Sequence, residues 1–241
     1  MTADPEGPPV RGPRAAVAVA FCPSPPLLIP AVEGRPAPET VALRHACAEA
    51  VAGMLATAPE VVVVVGGGAP PGTRFGQGDA GPLRGYGVDR AVAFAGGIRP
   101  GGRRLPLAHT VGAWLLDEAG FAGARLGVGP SDLAELMGAL PGPVGLLAMG
   151  DGSARRTVKA PGYLDDAAAP FDAAVATALA EGDAAALAAL DEREGERLLA
   201  AGVPAWRAVG AALAGRSISA RLHLHDAPFG VGYLVAAWTA A

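Results

Sequence analysis

Five consecutive valines, Val61 to Val65, run between Glu60 and the triplet Gly66-Gly67-Gly68. A short β-branched run bounded by turn residues is a strand, and its lack of polar alternation requires cover on both faces. That is the environment of an interior strand in a parallel sheet with helices on either side. Other apolar segments predict strands at Ala15 to Phe21, Ala124 to Val128, Val144 to Met149, Ser217 to His225 and Gly230 to Trp238. Between them, helical spacing predicts helices over Glu39 to Ala56, His109 to Ala119, Ser131 to Leu140 and Pro204 to Leu213. A longer helical block, Leu164 to Ala201, is broken at Gly182-Asp183. The alternation predicts an α/β fold: a three-layer α/β/α architecture around a largely parallel or mixed sheet.

In the first helix, Val41, Cys47, Val51 and Met54 or Leu55 fall close to helical spacing and are expected to face the core. Residues 1–14, with Pro5, Pro8, Pro9 and Pro13, are expected to be a disordered leader, and residues 15–241 one domain. Hydrophobic residues are 51% of the chain and charged residues 17%, which excludes disorder for most of it. Pro23 to Pro36 reads as a proline-stiffened loop. Gly66 to Gly87 reads as a glycine-rich loop without periodicity, of a length that is usually functional or mobile.

A net charge of -4 gives no electrostatic footprint for nucleic acid. Arg99 with Arg103-Arg104, and Arg155-Arg156, are short basic patches of the kind that solvated surfaces carry. No apolar stretch reaches the ~20 residues that a membrane helix needs. Cys22 and Cys47 are the two cysteines, the N-terminal residues lack a secretory pattern, and reduced thiols in a cytoplasmic protein are expected. Lys159 is the one lysine among 19 basic residues, a bias expected of a GC-rich bacterial genome.

Several local patterns invite a chemical reading beside a plainer one. Gly66-Gly67-Gly68 follows a strand, yet it lacks the Gly-Lys-Ser/Thr of a phosphate loop, and Pro71 stands where a dinucleotide fingerprint needs glycine. Gly127-Val128-Gly129-Pro130-Ser131 reads as strand, turn and helix start, with Ser131 as N-cap. Ser153 is not in a nucleophile elbow, because Gly150-Asp151-Gly152-Ser153-Ala154 spaces its glycines differently. Asp151 ends a central strand, the edge where open α/β sheets bind ligands, and it is read either as an acceptor for glycine-turn amides or as a catalytic carboxylate. His223, His225 and Asp226 could share a metal if the two histidines face one side of a strand. The plainer reading has Leu222 and Leu224 inward and both histidines in solvent. His45 and His109 are expected to be surface or capping residues.

Three segments carry a family resemblance. Leu146-Leu147-Ala148-Met149-Gly150-Asp151-Gly152-Ser153-Ala154, Phe21-Cys22-Pro23-Ser24-Pro25-Pro26-Leu27-Leu28-Ile29-Pro30 and Asp226-Ala227-Pro228-Phe229-Gly230-Val231-Gly232-Tyr233 are its motifs. With the Glu60 to Gly68 strand, they resemble the class III extradiol ring-cleavage dioxygenase superfamily, in its Memo-like branch, over roughly residues 15 to 238. The resemblance implies iron(II) held by two histidines and a carboxylate, and insertion of dioxygen into a catechol-like ring. Its histidine positions are here Ser24, Gly68 and Ala154, and no match to its C-terminal glutamate ligand is found.

The expectation is therefore an atypical member without the ancestral iron site and with no cofactor, binding a small organic ligand at a strand-end pocket lined by Cys22, Ser24, Gly68, Asp151 and Ser153. Two alternatives stand beside it. One is an active metal-dependent dioxygenase with iron(II) on His223, His225 and Asp226 as replacement ligands. The other is a non-enzymatic interaction or assembly protein. Related dioxygenases often form oligomers, and no residue here fixes a stoichiometry.

Overall fold

A computed structural model describes residues 15–241, so the expected leader at residues 1–14 lies outside the described residues. The strands are β1 (Val17–Cys22), β2 (Val61–Gly66), β3 (Arg74–Phe75), β4 (Ala80–Pro82), β5 (Ala91–Ala93), β6 (Ala124–Val128), β7 (Val144–Met149), β8 (Ile218–Asp226) and β9 (Tyr233–Ala240). The helices are α1 (Pro30–Glu33), α2 (Pro38–Leu55), α3 (Leu107–Glu118), α4 (Leu133–Ala139), α5 (Ala168–Glu181), α6 (Ala184–Ala188), α7 (Glu192–Arg197) and α8 (Val203–Ala212).

Seven strands form one mixed sheet in the order β3-β6-β2-β7-β1-β9-β8. Its centre, β6-β2-β7-β1, is parallel, and β3, β9 and β8 join by antiparallel pairing. The ends of β1, β2, β6 and β7 therefore lie along one edge, together with the start of β9.

The valine run shows how the layers arise. Val63 and Val65 pack with α4, α5, α6 and α8, whereas Val62 and Val64 pack with α2 and α3. Val62 to Val65 are fully buried, so neither face of β2 meets water. β1 divides in the same way, with Val17, Val19 and Phe21 on one side and Ala18, Ala20 and Cys22 on the other. Phe21 meets Trp238 edge-on at 4.8 Å, and the Trp238 indole N–H donates to the Leu179 carbonyl at 2.7 Å, which ties the sheet to α5. Each such aromatic burial is worth about 2–3 kcal/mol from area alone.

Several expectations need correction. The Pro23–Pro36 segment is not all loop: Pro26–Leu28 forms a 3-10 turn and Pro30–Glu33 a helical turn, each opened by a proline whose missing N–H costs nothing at a first helical position. The Gly66–Gly87 loop contains β3, β4 and a 3-10 turn at Arg84–Tyr86. Ser131 does not cap a helix; it sits within a 3-10 turn, Pro130–Asp132, that precedes α4. Val41 faces solvent, while Cys47, Val51 and Met54 are buried. His109 is also misplaced by the sequence reading, because it lies fully buried in α3. Its Nε2 lies 2.9 Å from the Val128 carbonyl, and burial lowers its pKa to about 4. Among the described residues, no helix is long and apolar enough to cross a membrane.

Candidate functional site at the strand ends

Parallel pairing of β1 with β7 sets Cys22 beside Met149 and carries the register into the following loops. The Gly150 amide donates to the Cys22 carbonyl at 3.0 Å, and one residue on, the Asp151 carboxylate accepts the Ser24 amide at 2.6 Å. The Asp151 carbonyl in turn accepts the Gly202 amide at 2.8 Å. Gly150 is required here, because any side chain would strike Gly202. Two strand-end loops are thereby laced together around one carboxylate.

Asp151 is half-buried, and burial raises its carboxyl pKa to about 6, with the Ser24 amide pulling the other way. Among the described residues, no basic side chain pairs with it. Beneath it lie the two thiols and Tyr233. The Cys47 thiol is pushed up first by its hydrogen bond to Cys22, then by burial and by the Cys22 and Asp151 charges. The Tyr233 phenol is pushed up by burial and then by Asp151. A fully buried thiol held in its protonated form, as Cys47 is, is a poor nucleophile.

Of the five residues expected to line a pocket, Ser24 and Asp151 are in contact. Cys22 is buried below them. Gly68 is exposed at a left-handed turn (φ 85°), where an added side chain would press on Pro106. Ser153 is fully buried; its amide donates to Asp172 Oδ1 at 2.8 Å and its hydroxyl to the Leu198 carbonyl at 2.7 Å. A cavity of about 610 Å³ opens beside α7 and α8, and one of about 680 Å³ between α2 and α3; none of the five residues lines either.

The histidine group is separated by the backbone. A register shift between Leu222 and Leu224 marks a bulge in β8, so these leucines pack on opposite sides of the sheet instead of the same side. His223 Nδ1 reaches Glu49 on α2 at 3.2 Å, while the His225 charge acts on Asp172 on α5. His225 and Asp226 are exposed. Among the described residues, no group of three or more histidine, cysteine or acidic side chains is placed to hold a metal ion.

Asp172 was not found by sequence reasoning. It is fully buried, accepts the Ser153 amide and pairs with Arg156 at 2.8 Å. Burial raises its pKa against the lowering effects of Ser153, Arg156 and His225. A signal existed: Asp172 occupies the same stripe of α5 as Ala168, Val175, Ala176 and Leu179, where a carboxylate requires a partner. Tyr233, the first residue of β9, was likewise missed.

No protein-family model matches this chain, and no curated protein matches it.

Proposed function

We propose that this chain is an atypical relative of the class III extradiol dioxygenases, of the Memo-like branch, that binds a small hydroxylated organic molecule at Asp151. The observation that carries the reading is a half-buried carboxylate at the end of a central strand, raised to about 6 and without a basic partner. An unpaired, desolvated carboxylate costs stability, and such groups concentrate where a proton must be held or moved. Above its pKa, Asp151 accepts a hydrogen bond from a ligand hydroxyl and can take its proton; below it, the carboxyl is a donor.

The donor set does not fit iron(II). Ser24 engages Asp151 through its amide, Gly68 has no side chain, and Ala154 offers neither ligand nor acid/base. The replacement set is no better, because His223 turns to Glu49 on one face of the sheet and His225 to the Asp172 side on the other.

Thermal shift of the full chain with catechol, and separately with iron(II) under anaerobic conditions, tests the proposal. Catechol should raise the melting temperature of the wild type by mass action and leave a folded Asp151→Asn variant unmoved. Equal shifts in both proteins would remove Asp151 from the site. Stoichiometric iron(II) binding would restore the metalloenzyme reading.

A further inference from the structure

The glycine-rich segment after β2 and the basic patch at Arg99 to Arg104 are separate in the sequence, yet they fold onto one another. Ala80 pairs with both Ala93 and Arg104, and the Ala80 amide donates to the Arg103 carbonyl at 3.0 Å. Between the two segments lies a cleft of about 440 Å³ along the outer edge of the sheet, within the size range of small-molecule sites. Arg74, Arg99 and Arg103 line it, with Gly76 and Gly101 supplying open backbone and Pro100 and Leu126 an apolar wall.

The charges are only partly matched within the protein. Arg74 meets Glu135 of α4 in an exposed pair at 2.9 Å. The Arg103 guanidinium bonds the Arg74 carbonyl, a neutral acceptor. Arg99 has no guanidinium partner among the described residues, and its methylenes pack on Gly78, whose φ of 97° and lack of a side chain leave them room. Asp79 is the one carboxylate lining the cleft. It is buried and accepts the Gly76 amide at 2.9 Å and the Arg103 amide at 2.7 Å, so it fastens the two segments together through main-chain donors and forms no ion pair with the three arginines among the described residues. A chain of net charge -4 thus concentrates positive charge where backbone can approach a ligand closely.

We propose that this cleft is an anion site for a phosphate-bearing small molecule. Guanidinium forks match phosphate oxygens in pairs, and a site with several of them and an apolar wall suits a phosphate whose organic part rests on Pro100 and Leu126. The site is separate from Asp151 and does not depend on the function assigned there.

Isothermal titration of the full chain with orthophosphate, pyrophosphate and phenyl phosphate, at fixed ionic strength against potassium chloride, tests it. Saturable binding is expected, weakened about tenfold or more by Arg99→Ala and unchanged by Arg84→Ala, whose ion pair with Asp89 lies outside the cleft. Arg99 is the decisive position, since its guanidinium holds no part of the fold. Arg103→Ala, which also removes the bond to Arg74, should weaken binding further. Tighter binding of phenyl phosphate than of orthophosphate assigns a phosphate ester, and equal affinities assign the free anion. Absence of saturable heat with all three, or full affinity in Arg99→Ala, overturns the proposal.

Discussion

Asp151 and Asp172 flank the same loop after β7, on opposite sides of the sheet, and burial raises both carboxyls. Asp172, on the α5 side, is fully enclosed and receives the Ser153 amide and the Arg156 guanidinium. Asp151, toward α2, remains half-open and receives the Ser24 amide alone. The first arrangement fixes a loop: an added side chain at Gly152 would come within 2.7 Å of Asp172 Oδ1, and one at Gly232 would collide with the same carboxylate. The second leaves a carboxylate with a single main-chain donor and no counter-charge among the described residues. The difference lies in the missing counter-charge, and it separates a carboxylate that holds the fold from one available for chemistry.

The sharpest break of this contrast is Asp172→Ala. It leaves Arg156 and the Ser153 amide without partners and should destabilise the protein by about 3 kcal/mol in urea unfolding, the lower end for a broken buried pair because Arg156 retains some access to water. A loss below about 1 kcal/mol would contradict the structural role assigned to Asp172.

Asp151→Asn should act in the opposite direction. The folded-state pKa of Asp151, about 6, exceeds its ordinary 3.8, so the stability linked to its proton is full below about 4 and is lost as pH rises through 6. Asparagine is neutral throughout and still accepts the Ser24 amide. The variant should be more stable than the wild type by about 3 kcal/mol at pH 8, with the difference becoming small near pH 4. Unfolding midpoints at several pH values measure this, and a variant less stable than the wild type at pH 8 would make Asp151 a second structural carboxylate.

How much of this could be read from the sequence depends on what fixed each element. β1, β2 and β7 declare themselves because the sheet interior demands uninterrupted apolar runs, and Asp151 was legible two residues beyond such a run. The segment from Gly67 to Pro106 was not: its strands are two or three residues long and are held by Asp79 and by turns, so no period survives to be seen. The β8 histidines failed for another reason. A single bulge reverses the alternation from which a shared face was inferred, and nothing in the alternating sequence marks it. Asp172 was visible in principle as a carboxylate on an apolar stripe, but its partner Arg156 lies outside the helix and is supplied only by the fold.

The two serines of this edge extend the contrast to smaller effects. Ser153→Ala removes a buried hydroxyl that donates to the Leu198 carbonyl at 2.7 Å and accepts the Arg155 amide at 3.1 Å, and should cost about 1–2 kcal/mol. Ser24→Ala should cost almost nothing, because Ser24 meets Asp151 through its main-chain N–H, which alanine keeps. The pH dependence linked to Asp151 should also survive in Ser24→Ala. Only a change that removes the amide itself, Ser24→Pro, should disturb the carboxylate: without the one donor that lowers its pKa, Asp151 should titrate higher than about 6. Carboxyl titration by NMR in the two variants separates these outcomes. A pKa displaced equally in both would mean that the Ser24 hydroxyl, and not the backbone, sets the proton affinity of the site.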